Sequence, residues 1–216
     1  LAVVPTTTED RIWVIVNRTI DGDTKRYVEY IDNSDDEFYV DSGKKYSGSA
    51  TRSFSGLDHL EGENVSVWGD GSYAGDYTVS SGSITIPSSK SAVEDAYIGL
   101  SYDADLEIMP MNISSKETGN TTQTLQARIN EVQLLLYQTL GLKVGQSFDN
   151  LSTLPIRNTN DPMNAAPNKD GAIYPEVRQI SLNQTWSRNP TICVRSSLPF
   201  PATIVGLMAR AEVNSP

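Results

Sequence analysis

The chain's single histidine, His59, is the residue type best suited to acid–base chemistry near neutral pH. Asp58 and Glu61 flank it, and Ser55 lies four residues earlier. A Ser–His–Asp triad is defined by geometry, and no Gly-x-Ser-x-Gly elbow presents a nucleophile here. His59 therefore reads as a turn residue. The run Asp32-Asn33-Ser34-Asp35-Asp36-Glu37 alternates oxygen ligands like a calcium loop. Glu37 stands where such a loop needs glycine, and Gly43 stands where it needs a bidentate glutamate, so the run reads as a solvated acidic turn. Asp21, Asp23, Asp70 and Asp76 read as turn residues for the same reason.

Cys193 is the only cysteine, which excludes an intrachain disulfide and a thiolate zinc cluster. Its setting, Thr-Ile-Cys-Val-Arg, makes it a small buried hydrophobe on a strand. No Gly-x-x-x-x-Gly-Lys-Ser/Thr or Gly-x-Gly-x-x-Gly phosphate loop is present. A carboxylate pair for glycoside hydrolysis is a spatial feature that sequence alone does not reveal. No catalytic, cofactor or metal residue emerges. The remaining candidates are the aromatics in or beside Gly-, Ser- and Asn-rich turns: Tyr73, Tyr77, Tyr174 and Trp186, residue types that anchor interfaces.

The net charge is −10, from 27 acidic against 17 basic residues. Duplex binding rests on Lys and Arg at phosphates, so a conventional nucleic-acid module is excluded. A channel wall that must not adhere to passing DNA remains compatible with this charge. No apolar run approaches the ~20 residues a spanning helix needs, and no signal peptide is visible. Asn-x-Ser/Thr triplets at Asn17, Asn64, Asn112, Asn120, Asn150 and Asn183 are what a Ser/Thr-rich chain produces by chance.

The elements expected to position these residues are strands. Segments 11–17 and 26–32 are β-branched-rich and flank Asp21-Gly22-Asp23, a hairpin pattern. The Gly/Ser-rich run Ser42–Ser55 reads as a boundary. Short strands follow at 64–68, 76–79, 83–86 and 92–100, separated by Gly69-Asp70-Gly71-Ser72, Ser81-Gly82 and Pro87-Ser88-Ser89. Turns every ten residues or so indicate a small barrel or sandwich. Residues 102–111 read as extended and 116–123 as a loop. Segment 125–140 fits helix through Leu125, Ile129, Val132, Leu136 and Leu140, and strand through Val132, Leu134 and Leu136; the surroundings favour a long strand. Residues 146–175 read as a long loop, ordered by a partner. Strands are expected at 176–182, 190–197 and 202–213, the last with Val205, Leu207, Ala209, Ala211 and Val213 on its buried face. The expected organisation is an all-β fold in series: a hairpin ending a larger region over 1–46, a small barrel-like domain over 47–100, and a sandwich-like domain over 101–216.

Four stretches in order carry a family resemblance: Ile12 to Gly22, Tyr27 to Asp32, Ser55-Gly56-Leu57-Asp58-His59-Leu60-Glu61-Gly62-Glu63-Asn64-Val65-Ser66-Val67, and Gly141 to Gly145. Together they resemble the C-terminal part of tail nozzle, or tail tubular B, proteins of short-tailed bacteriophages and related proteins that stabilise packaged DNA. The third stretch also resembles a small β-domain found in phage proteins and in ubiquitin-activating enzymes, a likeness of fold without ubiquitin chemistry. The resemblance implies that residues 11–32 end a larger propeller-like region, so that the chain, which starts at Leu1 rather than Met, is a piece or processed product of a longer protein. It also implies a homo-oligomer, usually a hexameric ring, in the virion tail. DNA would pass through the lumen without sequence-specific binding, and tail adaptor and fibre or spike proteins would meet the outside.

The expected function is thus structural, without enzymatic activity. The alternative is a carbohydrate-binding or adhesin-like module at the tail tip, and a hydrolase is the third reading. A glycan array separates the first two: the structural reading expects no selective glycan binding, whereas strong selective binding favours the adhesin.

Overall fold

Three two-residue turns set the strand pairing of the first half of the chain. Asp21-Gly22, Asp70-Gly71 and Ser81-Gly82 all have positive φ at both positions, from 46° to 79°. That backbone twists a hairpin in the sense its strands require, and glycine enters it at no steric cost. Each turn falls where the sequence indicates one. The structure, a computed structural model, describes residues 2–5, 10–31, 39–110, 126–137, 139–155, 176–182 and 184–214, with the side chains of Asp10 and Glu176 outside that set. The acidic run 32–37, the loop 116–123, and residues Asn112, Asn120, Tyr174 and Asn183 lie outside the described residues.

The fold is all-β, with no α-helix among the described residues. It divides into two units, Leu1–Tyr102 and Asp103–Pro216. The first contains β1 (Ala2–Pro5), β2 (Asp10–Ile20), β3 (Asp23–Ile31), β4 (Asp41–Thr51), β5 (Ser53–Ser55), β6 (Asn64–Gly69), β7 (Ser72–Thr78), β8 (Ser83–Thr85) and β9 (Val93–Leu100). They form antiparallel sheets in the orders β1-β2-β3, β4-β9-β6-β7 and β5-β8. Ile20 from the hairpin, Phe54 from β5, Leu57 and Leu60 from the segment after it, and Val65, Val67 and Ile98 from the central sheet share one buried core. None of the sheets closes into a barrel, so the barrel-like expectation for 47–100 is replaced by an open four-stranded sheet with a two-stranded companion.

The boundary expected within 42–55 falls inside strands. β4 pairs with β9 through Lys44↔Ile98, Lys45↔Tyr97, Tyr46↔Ala96 and Ser47↔Asp95. Backbone pairing needs no apolar side chains, so a Gly/Ser-rich segment serves at a sheet edge. Its one large apolar contribution is Tyr46, whose ring meets Phe54 edge-on at 5.1 Å.

The second unit contains β10 (Ala104–Glu107), β11 (Ala127–Tyr137), β12 (Leu142–Ser147), β13 (Asn150–Thr153), β14 (Glu176–Ser181), β15 (Cys193–Ser196) and β16 (Thr203–Val213). Their sheets run β10-β15-β12-β13 and β14-β11-β16. Side chains from both, including Ile129, Val132, Leu134, Val144, Ile180 and Val194, form one core. The expected loop at 146–175 is shorter at its start: β12 and β13 form a hairpin, with Lys143↔Thr153 and Val144↔Ser152 paired. The polar β13 is an edge strand and lacks the apolar pattern that would announce it.

Segment 125–140 is a strand over Ala127–Tyr137. A register shift between Ile129 and Glu131 explains its helical look. The extra residue, Asn130, moves the inward phase by one, so Ile129, Val132, Leu134 and Leu136 all point inward although their spacing is irregular. A second shift corrects the expectation for β16. Leu135 faces Gly206 and Leu136 faces Ile204, so Val205 is skipped by the register. Val205 is exposed, while Ile204, Leu207, Ala209 and Ala211 pack on the core.

Strand geometry gives Leu134 and its neighbour Leu135 different weights. Leu134→Ala removes a fully buried side chain and is expected to cost about 2–5 kcal/mol. Leu135→Ala, on the opposite face, is expected to cost about 1 kcal/mol or less. Urea unfolding of both variants checks this, and equal costs would contradict the strand.

Candidate functional site

His59 sits in a single 3-10 turn, Asp58–Leu60, between β5 and β6. Leu57 and Leu60 on either side are fully buried and anchor the turn in the core. Backbone bonds tie it to the 79–82 segment: Leu57 N–H donates to Gly82 O at 2.9 Å, Gly62 N–H to Val79 O at 3.1 Å, and Val79 N–H to Glu63 O at 2.9 Å. Glu61 completes this corner. Its two carboxylate oxygens accept the Ser81 and Gly82 N–H groups at 2.8 and 2.7 Å. Those bonds, Gly82's first and Ser81's second, hold the Glu61 carboxyl below its ordinary value.

Among the described residues the His59 ring has no hydrogen bond to a hydroxyl or a carboxylate. Its Nε2 lies 2.9 Å from the Ser42 carbonyl oxygen, which assigns the proton to Nε2 as donor. Its own carbonyl accepts the Tyr27 hydroxyl at 3.1 Å. His59 thus bridges the β2–β3 hairpin and the start of β4. Ser55, the hydroxyl considered as its partner, lies in β5, and its carbonyl accepts Lys44 Nζ at 3.0 Å.

Beside this bridge, Arg18 forms a charged cluster. Its Nε and Nη2 donate to the Glu29 carboxylate at 2.8 and 2.7 Å, and Nη1 and Nη2 donate to the Asp41 carboxylate at 2.8 and 3.0 Å. Ser42 Oγ adds a bond to Glu29 at 3.3 Å. Glu29 first and Asp41 second push the Arg18 pKa above its ordinary value, so the guanidinium is permanently charged. Sequence reading missed Arg18, because its partners stand 11 and 23 residues away with no local motif.

Of the candidate interface aromatics, Tyr73 and Tyr77 do not share a face. Tyr73 and Tyr77 both lie on β7, where a register shift places Tyr73 opposite Trp68 and Tyr77 opposite Val65. The shift puts them on opposite faces. Tyr77 packs on the core and donates its hydroxyl to Ala74 O at 2.7 Å. Tyr73 is half-buried, and burial, reinforced by the Asp76 carboxylate, pushes its phenol up to about 12. Ser66 Oγ donates to the same carboxylate at 2.5 Å. Trp186 belongs to the second unit, with the Arg128 guanidinium 4.9 Å from its ring centroid and Glu212 bonded to Arg128 on β11. Tyr174 lies outside the described residues.

Cys193 is buried on β15, and burial pushes its thiol up, away from the reactive thiolate form. Among the described residues no group of three or more His, Cys, Asp and Glu side chains is arranged to hold a metal ion. No described helix is long and apolar enough to cross a membrane. No protein-family model matches the chain, and no curated protein matches it. Within the first unit, this arrangement fixes one backbone segment against another: Arg18, His59 and Glu61 each spend their polar atoms holding main chain or a neighbouring strand.

The Glu61 corner carries a pH dependence of definite sign. Its folded-state pKa is depressed, so the stability it contributes is present above the unfolded value of about 4.3 and is lost as pH falls through the folded one. Glu61→Gln is expected to lower the melting temperature at pH 7, with the gap to the wild type closing below about pH 4. Melting curves from pH 2 to pH 7 check this; a gap that does not vary with pH would contradict the role.

Proposed function

We propose that this chain is a structural part of a bacteriophage tail, of the nozzle type, that assembles with further copies of itself into a ring. DNA is retained behind that ring and ejected through it, while adaptor and fibre or spike proteins bind its outer face. The observation that carries this reading is the stretch from Ser55 to Val67. It bears the most specific part of the resemblance, and its polar side chains are used in architecture: His59 bonds the Ser42 carbonyl and Glu61 closes the Ser81-Gly82 turn. An enzyme would hold such groups toward a substrate.

Charge supports the same reading. A surplus of ten negative charges repels the phosphate backbone, and repetition around a ring strengthens the repulsion near the wall. Screening confines it to roughly 8–10 Å at moderate salt, a range suited to a close-fitting channel. The all-β fold, with its many short antiparallel strands, suits a wall in this reading. The protein acts in this reading without cofactor, metal or enzymatic turnover, and its location is the virion.

Cryo-electron microscopy of purified tails tests the placement. Density for the two units is expected in a ring about the tail axis, near its distal end. Density for these residues away from the axis, or their absence from the particle, would overturn the proposal.

A further inference from the structure

Two hairpin turns of the first unit are built from the same dipeptide in the same backbone conformation. At Asp21-Gly22 φ is 53° and 79°, and at Asp70-Gly71 it is 46° and 75°. Asp-Gly is the pair best suited to a reaction within the main chain. The carboxyl carbon of an aspartate lies one five-membered ring closure from the next residue's amide nitrogen, and a following glycine has no side chain to block the approach. The two turns differ in what restrains that closure. A third Asp-Gly pair, Asp170-Gly171, lies outside the described residues.

At Asp70 the side chain and the main chain are both held. Oδ2 accepts the Glu94 N–H at 3.2 Å and Oδ1 accepts the Asp95 N–H at 3.0 Å. The Asp70 N–H donates in turn to the Asp95 carbonyl at 2.9 Å. Asp70 and Gly71 are half-buried. Turning the Asp70 carboxyl carbon toward the Gly71 nitrogen would break the bonds to the start of β9. At Asp21 the restraint is weaker. Its carboxylate accepts no hydrogen bond among the described residues, and its N–H reaches Glu63 Oε1 only at 3.4 Å. Asp21 and Gly22 are both exposed, and nothing lies within 4 Å of the position a Gly22 Cβ would take.

We propose that Asp21 is a site of spontaneous isomerisation to isoaspartate, and that the fold protects Asp70 from the same reaction. The Gly22 amide nitrogen attacks Asp21 Cγ. A C–N bond forms, and the amide proton leaves with the carboxyl hydroxyl as water. One water then opens the cyclic imide. Cleavage at Cγ restores aspartate, whereas cleavage at the main-chain carbonyl leaves Gly22 joined through the side chain, as isoaspartate. The product has one extra methylene in the main chain, in a turn of only two residues. The Ile20↔Asp23 pair that closes the turn then loses its geometry, and Ile20 is a core residue.

The full-length protein is aged in neutral buffer over several weeks, digested, and read by mass spectrometry with a fragmentation method that distinguishes isoaspartate from aspartate. Isoaspartate is expected to accumulate at position 21 about tenfold faster than at position 70, or more, because the two turns open with different ease. Equal rates, a faster rate at position 70, or no isoaspartate at position 21 would overturn the proposal. Ageing the same protein in concentrated urea separates structure from sequence. There the two rates are expected to converge to within about twofold, because both turns are open. A native-state difference that persists unchanged in urea would belong to the local sequence and would overturn the protection assigned to the Asp70 turn.

Discussion

The first unit depends on one guanidinium. Arg18 is the point at which β2, β3 and β4 are held together, through two carboxylates that approach the same planar fork. A lysine could not reproduce this, because the arrangement needs paired donors in fixed directions rather than a point charge. The side chain is mostly sheltered from water, which reduces screening, and its charge is met on two sides, which offsets the cost of that shelter. Ile20 and Tyr27 extend the contact, one into the core and the other to the His59 carbonyl. With the inner face of the hairpin committed in this way, its outer face is left with Ile15, Val28 and Tyr30 in solvent. The ion cluster thus links local hairpin chemistry to the surface the protein presents.

What sequence makes visible here follows from which interactions are local. The Asp-Gly and Ser-Gly turns are readable because they need two adjacent residues in a left-handed backbone. Burial of Cys193 is readable because a lone cysteine in an apolar strand acts as a small hydrophobe. Strand β4 is not, since its bonds are main-chain and its side chains mostly face solvent. The bulge at Asn130 gives a strand the spacing of a helix, and the skipped residue Val205 turns an apolar side chain outward. The bulge on β7 matters most for the candidate site. Four residues apart on a regular strand, Tyr73 and Tyr77 would share a face; one extra residue at Ala74 separates them. Arg18, Glu29 and Asp41 meet only once three strands are in place.

The same distinction bears on function. His59 attracts attention as the sole histidine, yet its ring nitrogen satisfies a backbone carbonyl and its neighbours Leu57 and Leu60 are core residues. One ring nitrogen is thus used to hold main chain, the start of β4. The acidic surplus, the tight turns and an exposed apolar sheet face are compatible with the proposed structural role.

Sedimentation velocity of the full-length protein across a concentration series tests that claim most directly. A self-assembling tail protein gives a closed oligomer of defined size that dissociates on dilution. A species that remains monomeric at every concentration, alone and with its tail partners, would contradict it.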